Sequence, residues 1–364
     1  MSARRPLADP FAGGTPDPSN VTCPAPIPER ARVLLGHGSG GQLSAALMRD
    51  VIGPALAAAS PGGPLNDAAV VEVAGQRLAF TTDSFVVSPL EFPGGDIGEL
   101  AVNGTVNDLA MMGAQPLALS LAYVIEEGLP IEDLRKVTES VARAADRAGV
   151  RIVTGDTKVV GRGAADGLFV NTAGIGLVAE GVAVGADRAS AGDAVILSGP
   201  IGLHGIAIMS IREGLDFEVE IASDTQPLNL LVAAIVAACP EVRVLRDPTR
   251  GGLASALNEI AAASGVGIEL SEGSIPIPGP VRAACEMLGL DPLHVANEGK
   301  LVAIVPDSAV EAVLAAMRAL PEGADAVEIG RVVADHPTMV TVRTIVGSQR
   351  IVDMLVGEQL PRIC

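Results

Sequence analysis

Four carboxylates stand at or near the ends of apolar segments in the first half of the chain. Asp67 opens one segment, and Asp83 closes another in Thr81-Thr82-Asp83-Ser84. Asp108 sits in a helical stretch beside Asn107, and Asp156 follows a strand-like run in Thr154-Gly155-Asp156-Thr157-Lys158. Hard oxygen ligands of this kind suit a Mg2+ ion that bridges phosphates. Each Asp alone would also suit a turn or a cap; four in one half, beside a glycine-rich loop, point to metal and phosphate. That loop is Gly36-His37-Gly38-Ser39-Gly40-Gly41, and a helical pattern with Leu43, Leu47, Val51 and Ile52 follows it. Its N–H groups can turn towards an anion. A dinucleotide turn would need a fuller strand before it and an acid closing the next strand, whereas Asp67 precedes that strand. No Gly-Lys-Ser/Thr follows, so it is not a Walker A loop. Polyphosphate contact through Gly38, Ser39, Gly40 and Gly41 is the favoured reading, with a plain flexible loop as the alternative.

The second half offers two further turns. Asp247-Pro248-Thr249-Arg250-Gly251-Gly252 links a strand to a helix; Arg250 could reach a phosphate, or the segment is an ordinary turn. Asn297-Glu298-Gly299-Lys300 precedes an apolar strand, and Glu298 is either a general base or a surface acid. On the helix read over 97–113, Glu99, Asn103 and Asn107 share a face. Asn is a poor helix former, so two of them suggest ligand contacts. The sequence closes on Pro361-Arg362-Ile363-Cys364. A thiol there is a candidate nucleophile, favoured by Arg362 and hinged at Gly357. The 19 residues from Val346 would span up to about 60 Å if extended.

Composition narrows the partners. Acids outnumber bases 43 to 25, for a net charge of -18, so nucleic acid and anionic membranes are disfavoured. Aromatics are only 2% of the chain, which removes most of the material for base stacking. Four cysteines scattered over 364 residues, with no CxxC, read as thiols of a reducing cytoplasm. No signal peptide or membrane helix is expected.

Periodicity predicts mixed strands and crossover helices, hence an α+β fold in two halves. Residues 1–30 read as a disordered leader, 31–183 as an N-terminal ATP-binding domain, 184–345 as a C-terminal α/β domain and 346–364 as a mobile tail. Strands are expected at 68–74 and 78–82, paired across Ala74-Gly75-Gln76, and at 117–125, 150–154 and 168–178. A helix is expected over 131–148, opened by Pro130 and closed by Gly149.

The segments HGSGG at 37–41, FTTDSFVVSP at 80–89, LAVNGTVNDLAMMGA at 100–114, TGDTKVV at 154–160, GLHGIAIM at 202–209, DPTRGGLA at 247–254, NEGK at 297–300 and the closing PRIC occur in that order. Together they resemble the HypE family, the carbamoyl dehydratases of NiFe-hydrogenase maturation. That family belongs to a superfamily of ATP enzymes related to aminoimidazole ribonucleotide synthetase. The resemblance implies a two-domain fold whose N-terminal domains form a dimer barrel. It also implies that a carbamoyltransferase loads a carboxamide on Cys364, and that the tail brings it to the protein's own site. There ATP drives dehydration to a thiocyanate, whose cyanide passes to an iron-carrying scaffold. On the same resemblance Lys158 and Glu298 act on the carboxamide, while Asp67, Asp83, Asp108 and Asp156 hold Mg-ATP. Family members often carry two acids where this chain has Asn66-Asp67. The alternative is another synthetase of this fold, making selenophosphate or aminoimidazole ribonucleotide; Cys23, alone among prolines, argues against the former.

Overall fold

Long strands and a buried helix packed on them build the first half of this computed structural model. The structure describes residues 32–59, 65–215, 221–357 and 362–364. The leader expected over 1–30, Cys23 within it and Pro361 lie outside those residues. The glycine-rich loop runs into α1 (Gln42–Leu47), a π turn and α2 (Gly53–Leu56). Strand β1 (Ala69–Val73) turns through Ala74 and Gly75, both at positive φ, into β2 (Gln76–Phe85). Two short strands, β3 (Glu91–Phe92) and β4 (Gly95–Asp96), precede α3 (Ile97–Met111). Then come β5 (Ala114–Glu126), α4 (Ile131–Ala148), β6 (Arg151–Val160) and β7 (Leu168–Val178). The sheet order is β1-β2-β7-β5-β6, antiparallel except for the β5–β6 pair.

Helix α3 explains why the sheet is where it is. The Asp96 carboxylate caps it by accepting from the N–H groups of Gly98 and Glu99. Nearly all of its residues are buried, so it is a core helix rather than an amphipathic one. It sits low on the sheet because β7 presents Gly174. A Cβ there would meet Leu109, Leu119 and Thr105 at 2.8, 2.8 and 2.9 Å. The outer strand β6 is exposed along almost its whole length, with Val153 and Val159 58% and 68% accessible.

The second half holds a seven-stranded sheet in the order β14-β13-β10-β12-β8-β11-β9. Its elements are β8 (Ala194–Leu197), α5 (Leu203–Arg212), α6 (Asn229–Ala238), β9 (Val244–Arg246), α7 (Gly252–Ser264) and β10 (Gly267–Ser271). They continue with α8 (Gly279–Leu288), β11 (Val302–Val305), α9 (Val310–Arg318), β12 (Val327–Val333), β13 (Val340–Arg343) and β14 (Gln349–Val352). Strands β8 and β11 are buried at every position, as central strands covered on both faces must be. The tail expected from Val346 is corrected in part. Gln349–Val352 pairs with β13 at the sheet edge and buries Val352. A four-residue edge strand with one buried side chain carries almost no hydrophobic pattern, which is why periodicity missed it.

Asn107 ties the two sheets' elements together. Its side-chain oxygen accepts from Leu228 N–H at 2.8 Å, and its amide donates to the Gln226 carbonyl at 3.1 Å and the Glu298 carbonyl at 3.4 Å. Asn103 donates to Thr225 Oγ1 at 3.1 Å. Replacing Asn107 by Ala strands the buried Leu228 N–H. The expected cost is about 1–3 kcal/mol in urea-unfolding free energy, and an unchanged midpoint would contradict the bridging role.

Candidate active site

The ends of β2 and β9, the middle of α3 and the turn before β11 converge on one cavity of about 480 Å3. Asp67 enters from the segment before β1, Asp108 from α3, and Asp247 from the turn after β9. Their carboxylate oxygens lie within 4.8 Å of one another. Thr81 Oγ1 donates to Asp108 Oδ2 at 2.8 Å, and Arg246 Nε stands 3.2 Å from Asp67 Oδ1. The other arm of Arg246 pairs with Glu259. Burial is the main force on all three acids. It raises Asp67 to about 6 and Asp247 to about 8, and it holds Asp108 well above the carboxylate range, with the neighbouring acids adding to the effect.

Asp83 lines the same cavity; burial raises its carboxyl, and Arg250 opposes that rise. Glu298 is 3% exposed and reaches in from the facing turn. Its Oε1 is buried without a partner, and burial, followed by Asp247, lifts it far above the usual range. Its own backbone N–H is fixed by Asp224 Oδ1 at 3.0 Å. Cys364 lines the cavity as well. Burial, then the nearby Glu298, pushes its thiol strongly upwards, so the seated sulfur is a protonated thiol and not a thiolate.

Of the glycine-rich loop, Gly40 lines the cavity. It sits at φ +76°, and a Cβ there would meet the Arg250 carbonyl at 2.6 Å. Arg250 in turn donates to the Gly38 carbonyl at 3.1 Å. Ser39 donates to the Gly36 carbonyl at 2.8 Å, and Gly41 caps α1, so Gly38, Ser39 and Gly41 shape the loop rather than line the space.

A single chain brings only some of the expected residues together. Asp156 and Lys158 are exposed on β6 and pair with each other at 2.5 Å, away from the other acids. Asp247, read from the sequence as part of the nucleotide-contacting turn with Arg250, joins Asp67 and Asp108 in the acidic cluster. Asn103 and Asn107 are buried with backbone and side-chain partners at 225–228 and 298, so in one chain their shared helix face serves as a structural joint, with Asn103 Oδ1 left unpartnered. Asn66 lines the cavity, but its side-chain oxygen already accepts from Ala186 N–H at 3.0 Å. Sequence reasoning missed Thr81 and Arg246. The signal for Arg246 was its place directly before Asp247 at the end of an apolar strand.

Residues 65–178 match the AIR synthase-related N-terminal domain and residues 190–343 the AIR synthase-related C-terminal domain. Fold and site thus define a two-domain protein of the AIR synthase-related class. Carbamoyl dehydratase HypE of Azotobacter vinelandii is 54% identical over 332 residues, 91% of this chain and 97% of that one. The HypE of Escherichia coli K12 is 47% identical, over 91% of this chain and 99% of that one. A hydrogenase maturation protein HypE solved in complex with ATP superposes with a TM-score of 0.77 at 46% identity, covering 92% of this chain and 100% of that one. A HypE–HypF complex superposes at 0.79 and 48% identity, covering 84% of this chain and 100% of its HypE-like chain. The chain belongs to the carbamoyl dehydratase HypE family.

The acidic cluster fixes a sign for stability against pH. Asp67 and Asp247 bind protons more tightly folded than unfolded, from an ordinary value of 3.8 to about 6 and about 8. The folded state therefore holds more protons across that interval, and stability falls as pH rises from about 4 to about 8. Thermal unfolding of the metal-free protein should show this decline, and Asp247→Asn should flatten its upper half. A midpoint that rises over the same interval would overturn the burial of these acids.

Proposed function

We infer that this protein dehydrates an S-carboxamide carried on its own Cys364, with ATP as the phosphoryl donor, in the maturation of a NiFe-hydrogenase. One observation carries the reading: Cys364 lines the cavity that Asp67, Asp83, Asp108, Asp247 and Glu298 line. A cavity so acidic rejects a thiolate and admits a neutral thiocarboxamide. A carbamoyltransferase of the HypF kind loads the thiol while the tail is outside, and the tail then returns. ATP phosphorylates the carboxamide oxygen, releasing ADP; the nitrogen gives up its first proton to solvent and an imidate phosphate with one N–H remains. Glu298 takes that proton as the C–O bond breaks and phosphate leaves, which forms the C≡N triple bond. Phosphate departs far more readily than hydroxide, so ATP supplies the leaving group. Glu298 also has an oxygen without a partner, free to meet the substrate nitrogen.

Mg2+ fits the triad Asp67, Asp108 and Asp247. Three carboxylate oxygens within 4.8 Å would repel one another once ionised, and a dication would relieve that repulsion. Bound there it would screen the charge of the ATP phosphates. Gly40 and Arg250 complete the phosphate side.

The assembly is a homodimer formed through the first sheet, which covers the exposed strand β6 with Val153 and Val159. Lys158 and Asp156 lie on that strand, so their part in the chemistry belongs to the dimer. The product cyanide goes to an iron-carrying scaffold, in a reducing cytoplasm that keeps Cys239, Cys285 and Cys364 as thiols. No helix among the described residues is long and apolar enough to cross a membrane.

Intact mass after incubation with carbamoyltransferase, carbamoyl phosphate and ATP tests this reading. Parent protein should gain a carboxamide and then lose one water as the nitrile forms, while Cys364→Ala should gain nothing. Glu298→Gln should load but stall as the carboxamide, slowed on the order of a hundredfold. Nitrile formation at the parent rate in Glu298→Gln would remove Glu298 as base.

A further inference from the structure

Residues 362–364 are held by side chains that the chemistry above does not use. Ile363 is 3% exposed and packs into the cluster of Phe85, Val87, Ile206 and Ala296. Its carbonyl lies 2.8 Å from His204 Nε2. A carbonyl only accepts, so Nε2 carries the hydrogen, and Nδ1 then accepts from Ser223 Oγ at 2.8 Å. The His204 ring is fully buried, set edge-on to Phe92 at 5.5 Å, and burial keeps it neutral. One fixed N–H therefore points at the tail. Arg212, at the end of the same helix α5, donates to the Arg362 carbonyl. Val86 N–H donates to the main-chain oxygen of Cys364 at 3.1 Å, and Arg362 Nε returns a bond to the Val86 carbonyl at 3.0 Å. The Arg362 guanidinium pairs with Asp166 and lies 5.9 Å from the Phe169 ring centre.

Each main-chain oxygen of the three residues thus has a donor from the body of the protein. Two of those donors, His204 and Arg212, are cationic or neutral nitrogen side chains outside the acidic cavity. They grip the backbone, whichever group the sulfur carries. The seated sulfur lies inside the acidic cavity, where a second protein cannot reach it, so loading needs the tail released, whereas dehydration needs it seated.

We propose that His204, Arg212 and Asp166, with the Val86 backbone, form a receptor for residues 362–364 and are positioning residues that set the share of time Cys364 spends in the cavity. This rests on the carbamoyl reading for its purpose but not for its geometry. Weakening the receptor speeds loading of the thiol and slows dehydration per loaded molecule; strengthening it does the reverse.

The test uses the full-length protein without carbamoyl group or nucleotide. Alkylation of each cysteine by iodoacetamide is followed by peptide mass spectrometry at fixed pH, with the buried Cys239 and Cys285 as reporters of general unfolding. His204→Leu leaves the buried Ile363 carbonyl without its donor, and Cys364 should react about tenfold faster. Asp166→Arg, at an exposed site, replaces an ion pair with repulsion and should speed Cys364 about threefold. Cys239 and Cys285 should stay slow in both. The exchanged pair Asp166→Arg with Arg362→Asp should return Cys364 to near the parent rate, which a merely structural role would not do. If His204→Leu exposes Cys239 and Cys285 along with Cys364, Asp166→Arg and the exchanged pair decide. A Cys364 rate unchanged in Asp166→Arg, or acceleration that the exchanged pair fails to reverse, overturns the receptor. Because no carbamoyl chemistry enters, a failure here is separate from a failure of the functional reading.

Discussion

Mutual repulsion among buried carboxylates is the constraint on which the site depends. Asp67, Asp108 and Asp247 are drawn from three separate stretches of chain and meet within 4.8 Å. Out of water, three negative charges at that distance are untenable, so without a cation the cluster holds protons. Arg246 and Thr81 satisfy part of the cluster, and Arg250 offsets Asp83. The remainder is a standing demand for positive charge, which a divalent cation bound there would meet.

The scaffold keeps that demand in place. Helix α3 carries Asp108 and is itself almost wholly buried, so the backbone that aims Asp108 into the cavity is fixed. Asn107, one residue earlier, anchors the start of α6 and the Glu298 carbonyl. One helix therefore sets the acid cluster and the proposed base together. Gly174 beneath α3 and Gly40 beside Arg250 mark the two places where backbone must come closer than a side chain permits.

Much of this was legible in the sequence because it lies in strong local signals. The β1–β2 turn, the span of α4 with Gly149 at its end, β7 and most helices of the second half follow from periodicity and caps. The acids Asp67, Asp83 and Asp108 were legible as carboxylates at element ends. What was not legible is which of them converge, since that depends on sheet order. Asp156 has the same local look as Asp83, yet it lies on an edge strand in ion pair with Lys158. Asn103 and Asn107 resemble ligands on a helical wheel and are instead consumed by a joint between distant segments. The tail's partners could not be read either, for His204, Arg212 and Asp166 are far from Cys364 in sequence and meet it only through main-chain atoms and Arg362.

The central claim is that clustered acids, held protonated because their charges would repel, form the seat for the metal–nucleotide. Calorimetry of Mg-ATP binding near pH 7, repeated in buffers of different ionisation enthalpy, measures the protons exchanged on binding. Asp247 titrates at about 8 and Asp108 well above its ordinary value, so a cation that replaces their protons must expel them. The account predicts net release approaching one proton or more per site, reduced in Asp247→Asn. Binding with no proton release, or with uptake, would contradict it.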